Sequence, residues 1–147
     1  MSDDSGMSPE VEQDYDALLE PMMDMIEKWL QEQDGFIPCG AAMTMDGEVA
    51  GHMAGTDDSD TMEDVMRLLF EGLRKRAEAG EIRASIVCYD GGFHEDDEFV
   101  PSIVTILEHI QGPALIAYRP YRKGADGTYE YAQTEAHLAE PETFAGL

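Results

Sequence analysis

Positive charge is what this 147-residue chain has least of. Nine Lys and Arg residues stand against 32 Asp and Glu, a formal net charge of −23. No segment is basic. The first 34 residues alone carry 11 acids and a single base, Lys28. Nucleic acid and anionic membrane surfaces are held by clustered Lys and Arg, so neither is an expected partner.

Cysteine is also scarce. Cys39 and Cys88 fall in separate apolar segments without C-x-x-C spacing. That excludes a zinc ribbon and a disulfide-framed fold, although one bridge between the two stays compatible with the spacing. Two small buried thiols in a reduced cytoplasm is the expectation. Long apolar runs are missing: nothing approaches the roughly 20 residues that cross a bilayer. The opening Met-Ser-Asp-Asp-Ser-Gly is polar and acidic, unlike a targeting segment.

Catalytic signatures are absent as well. There is no G-x-S-x-G elbow and no G-x-x-x-x-G-K-[ST] phosphate loop. His52, His94, His109 and His137 stand in no metal-ligand spacing. Pro38-Cys39-Gly40 matches part of a deaminase zinc motif but lacks its second cysteine and its His-x-Glu. His94-Glu95-Asp96-Asp97-Glu98 crowds five possible ligands together, without the alternate-position spacing and central glycine of a calcium loop. It reads as a solvated acidic loop. Asp57-Asp58-Ser59-Asp60 reads as charge at a helix N-terminus. No metal and no cofactor is expected.

What is present is acid, and it has three possible meanings. It keeps chains apart in solution, it suits a saline habitat where salt screens self-repulsion, or it steers a basic protein partner.

The pattern predicts a disordered tail at 1–8 and one domain at 9–147. Leu18, Leu19, Met22, Met25, Ile26, Trp29 and Leu30 recur at three- and four-residue steps and predict a helix ended by Gly35. Pro21 either kinks it or divides it in two. Asp46-Gly47 predicts a hairpin with strands near 39–45 and 48–54. Asp60-Thr61-Met62-Glu63 reads as a capping box. The helix after it places Met62, Val65, Met66, Leu69 and Leu73 on one face and stops at Gly80. A strand over 82–89 follows, turned by Asp90-Gly91-Gly92, then the acidic loop 93–99. Residues 101–111 suit a helix by their flanks and a strand by composition; the strand reading pairs them with 114–121. A last strand spans 129–135, and the chain from Ala139 is loose. The order is α-β-β-α-β-β-β-β: an α+β fold with a largely antiparallel sheet and two main helices packed on one face.

One local contrast stands out. Tyr118-Arg119-Pro120-Tyr121-Arg122-Lys123 holds three bases and two tyrosines on an otherwise acidic molecule. The plain reading is a strand end whose charges pair with nearby acids. The sharper one makes Tyr118, Arg119, Tyr121 and Arg122 a recognition patch, because Tyr and Arg anchor interfaces.

Phe36-Ile37-Pro38-Cys39-Gly40, Asp46-Gly47-Glu48 and Pro120-Tyr121 follow the order F-x-P-x-G, D-G-E and P-Y. In this the chain resembles small uncharacterised bacterial α/β proteins. Its helix, hairpin and helix also resemble the start of roadblock-type domains, which implies a non-catalytic interaction module, although the strand-rich ending departs from that pattern. The expected function is a non-enzymatic acidic interaction domain. It binds a basic protein or pairs with a second copy through a sheet edge, as a homodimer. The alternative is a small enzyme or ligand- or metal-binding domain with a site assembled from His52, His94, the acidic loop and Tyr118–Lys123.

Overall fold

The computed structural model describes residues 7–52 and 61–147. It is an α+β fold of two helices and a seven-stranded antiparallel sheet, one strand more than the sequence order anticipates.

Helix α1, Pro9–Gln33, starts on Ser8, whose side chain accepts from the Val11 N–H. Of the expected tail, residues 1–6 lie outside the described residues, but Met7 packs against the core and Ser8 is the cap. Pro21 neither divides nor ends the helix. It sits on the exposed side, where water can satisfy the carbonyl that proline leaves without a donor. The stripe Val11, Tyr15, Leu18, Met22, Ile26 and Leu30 is buried. Asp34, left-handed at φ 60°, closes the helix just before Gly35.

Strands β1 (Cys39–Thr44) and β2 (Val49–His52) form the hairpin that Asp46-Gly47 announces, with Gly47 at φ 90°. The remainder of the expected second strand lies outside the described residues. Helix α2, Met62–Glu78, is capped one residue later than expected. Thr61 is the cap and Asp64 the reciprocating acid, which leaves Glu63 exposed.

The acidic loop is not a loop. Strand β3 runs from Ile82 to Glu95 and β4 from Glu98 to His109, so Asp90-Gly91-Gly92 is strand and the turn is Asp96-Asp97. Both aspartates have positive φ, 50° and 67°, the conformation a two-residue hairpin turn requires and Asp tolerates. Residues 101–109 are strand, as their β-branched composition indicates. They pair with β5 (Ala114–Lys123) across the turn containing Gly112-Pro113. The last expected strand is two, β6 (Tyr129–Tyr131) and β7 (Glu135–Ala139), which pair with successive stretches of β5.

The strand order is β2-β1-β3-β4-β5-β6, with β7 also on β5. The helices do not share a face. Cys39, Ala41, Met43, Ala84, Ile86, Cys88, Ile103 and Leu107 pack under α1. Ala42 and Val87, alternate to these, pack with Val65, Leu69 and Leu73 of α2. Strand alternation explains the correction: β1 and β3 are apolar at consecutive positions, so both of their faces need cover.

The chain after Ala139 is tied down rather than loose. The buried Glu108 carboxylate accepts from the backbone N–H groups of Glu142 (2.7 Å), Thr143 (3.0 Å) and Phe144 (3.2 Å). Phe144 enters the core beneath α2.

Candidate functional site

Alternation along β5 separates the Tyr/Arg segment. Arg119 and Tyr121 point to the α1 side, where Arg119 contacts Glu27 of α1 at 2.7 Å and stacks on Tyr131 at 4.3 Å. The Tyr121 hydroxyl donates to Asp90 at 2.5 Å. Burial and the Asp90 charge push that phenol well above its ordinary value. Lys123 and Tyr129 share Asp34, which holds that carboxyl below its usual range. Arg122 pairs with Glu130 at 2.8 Å in solvent. Every base of the segment thus has an intramolecular acid. Tyr118 lies on the opposite face, edge-on to Phe93 and His137.

Tyr121 and Arg122 also border a cleft of about 650 Å³ with Phe99, Val100, Pro101, Pro120 and Tyr131. The cleft opens where the β4–β5 ladder stops at Ser102–Pro120. Pro101 and Pro120 supply no amide there, so the two strands part into separate hairpins.

The other sequence candidates are dispersed. His52 lies against α2 at Gly72, and burial with the Arg76 charge lowers its pKa. His94 lies edge-on to Phe99 at the β3–β4 tip. Cys39 and Cys88 face each other across β1 and β3 as buried free thiols, and burial pushes Cys39 up to about 12 and Cys88 up as well. Among the described residues, no group of three or more His, Cys, Asp and Glu side chains converges as a metal cage. Asp57-Asp58-Ser59-Asp60 lies outside the described residues.

A charged cluster that sequence spacing does not reveal joins α1 to the sheet. Arg83 grips both Asp14 oxygens, at 2.9 and 3.0 Å, and His109 Nε2 reaches Asp14 at 2.7 Å. Gln111 N–H donates to His109 Nδ1, so Nε2 holds the hydrogen that goes to Asp14. Burial alone would raise the Asp14 carboxyl, but the Arg83 and His109 hydrogen bonds outweigh it and hold it below the usual range. Both ring nitrogens are committed, so the arrangement braces the fold instead of offering a base to a substrate.

A broad concavity lies beside α2. Helix α2 covers β1 and β3 and reaches only partway over the next strands, leaving a groove of about 990 Å³ above Ile106 of β4 and Ile116 of β5. Met62, Met66 and Phe70, one turn apart, form its wall; Tyr89, Ile106 and Ile116 form its floor. Met62 is 45% exposed. Glu63, Glu71 and Glu142 stand on the rim with Arg67 and Arg74. Arg67 already contacts Asp64 and Glu71, and Arg74 contacts Glu78 and the carbonyl oxygens of Glu142 and Ala145. The sequence hints at this groove. An apolar stripe that includes Met62 and Met66 beside Val65, Leu69 and Leu73 is wider than one packing contact needs. Which strand residues complete it depends on pairing across the sheet.

Comparison with protein-family models, with curated proteins and with solved structures finds no match for this chain.

Proposed function

We propose that this chain is an acidic protein-interaction domain that takes a basic amphipathic helix of a partner into the groove beside α2. The observation that carries the reading is the groove itself: a wall of Met62, Met66 and Phe70 over a floor of Tyr89, Ile106 and Ile116. Methionine and aromatic linings suit protein docking. The floor strands have both edges paired, β4 by β3 and β5, and β5 by β4 and β7. An added strand therefore has no backbone to pair with, whereas a helix satisfies its own backbone and can lie across the floor. Charge selects the partner. The rim arginines are held by their own acids, and the molecule carries −23, so a helix flanked by Lys and Arg is drawn in and an acidic one repelled.

The test is amide shift mapping with an amphipathic Leu/Lys peptide and its Leu/Glu counterpart. The cationic peptide is expected to perturb Met66, Phe70, Ile106 and Ile116, to weaken with salt, and to bind Phe70→Arg about tenfold more weakly, which is roughly 1.4 kcal/mol. Shifts spread over the acidic surface without focus on the groove, or equal binding of the Glu peptide, would overturn the reading.

A further inference from the structure

The outer edge of β2 fits a second copy of this chain. Strand β2 ends the strand order, and among the described residues only its inner edge is paired, by β1. Val49, Ala50 and Gly51 are all exposed. Thr44 N–H donates to Glu48 O across the hairpin. Alternation of the antiparallel ladder then turns the Ala50 amide and carbonyl toward β1 and those of Val49 and Gly51 outward.

We infer that two copies join their β2 strands antiparallel about a two-fold axis at Ala50, continuing one sheet through both. In this register Val49 lies opposite Gly51 of the second copy, and the pair exchanges both of its outward backbone hydrogen bonds. The side chains match in the same register. Val49 is 39% exposed, while a Cβ placed on Gly51 meets nothing within 4 Å. The projecting side chain of one copy faces empty space on the other, and two-fold symmetry repeats the match. Gly51 borders an apolar hollow of about 430 Å³ whose helix wall includes Pro21, Met25 and Trp29. Met25 is 37% exposed, so the helix wall of the hollow is in contact with solvent. On the opposite face Glu48 comes opposite His52. Its exposed carboxylate thereby approaches the corner where Arg76 stands near that imidazole, the local charge complement. On the axis Ala50 meets Ala50, with little bulk to keep the strands apart.

The net charge of each copy opposes this contact. Salt screens that repulsion, so dimerisation strengthens as salt rises. Capture of a basic helix weakens as salt rises, and its groove lies elsewhere on the molecule. Either reading can fail without the other.

Sedimentation velocity of the full chain, over a concentration series in about 0.02 M and about 1 M KCl, tests the inference. The expected result is a reversible dimer whose Kd falls at least about tenfold in high salt. Gly51→Pro removes an outward N–H and leaves the β1 ladder untouched, so it is expected to stay folded and monomeric. Ala50→Cys is expected to form a disulfide-linked dimer under mild oxidation, while Leu138→Cys, also exposed but on β7, does not. A chain that stays monomeric in high salt, a dimer that survives Gly51→Pro, or equal crosslinking of both cysteine variants would overturn it.

Discussion

Asp14 shows what one residue contributes to this fold. It sits on the first turns of α1, yet its partners Arg83 and His109 belong to β3 and β4, so it fixes the helix to the far end of the sheet. Removing one member of a buried ion pair typically costs about 3–5 kcal/mol. Arg83 keeps about a third of its side chain in water, which lowers the expected cost of Asp14→Asn to about 2 kcal/mol at neutral pH. The sign of the pH dependence follows from the lowered carboxyl. Asp14 contributes its full stability above the unfolded value near pH 4 and loses it as pH falls toward its folded value. Urea unfolding of both proteins from about pH 7 to about pH 3 is expected to show the wild-type advantage shrinking below about pH 4. A constant difference would show that the contact acts through packing alone. Sequence offers no route to this cluster, because 69 residues separate Asp14 from Arg83 and 95 separate it from His109.

Glycine behaves differently from one element to the next. At Gly92 a Cβ would lie 2.3 Å from the Val100 carbonyl oxygen, on the facing strand of the β3–β4 hairpin. The Gly91-Gly92 pair resembles a turn because glycine is the commonest turn residue. Here it lets two strand backbones approach, which only the pairing of β3 with β4 can require. Gly92→Ala is expected to cost about 2 kcal/mol by forcing those strands apart, within the usual range for overpacking. Gly51→Ala enters empty space on an exposed strand and should stay within about 0.5 kcal/mol of wild type. Chemical denaturation of the two variants checks both, and equal effects would deny the contrast. The helices were more legible than the hairpins. Periodicity, the capping signal at 60–63 and Gly80 place helix ends to within about a residue through bonds a few residues apart, whereas β3 and β4 extend their register well past the apparent turn signals. The opposite placement of the two helices escaped a one-face reading, because consecutive apolar residues in β1 and β3 show that two faces are buried without showing what buries them.

At the scale of the whole molecule, charge acts as a field. With 32 acids on 147 residues, repulsion strains the compact state at low ionic strength. Among the described residues, eight close ion pairs engage seven of the Lys and Arg side chains, among them Arg119–Glu27 and Lys123–Asp34, and leave most of the acids without a cation beside them. The melting temperature of the Gly51→Pro variant, chosen to keep association out of the reading, is expected to rise by several degrees between about 0.02 M and about 1 M KCl. A flat profile would mean that the fold carries its charge without strain. Among the described residues no helix is long and apolar enough to cross a membrane.

The sequence by itself determined the class of the fold, the two helices and the first hairpin, and left 101–111 between helix and strand. These rest on local physics: periodicity, caps, turn residues and β-branched composition act over a few residues. It also determined the sign of the field that a partner meets. Only the tertiary structure decided where that field has a place to act. Strand alternation sent Tyr118 to one face and Arg119 with Tyr121 to the other, and gave each base of the segment an acid. The cover that α2 leaves incomplete made the groove, and the end of the strand order made β2 an edge. Each of these depends on which strands neighbour one another, a long-range choice that local pattern does not contain.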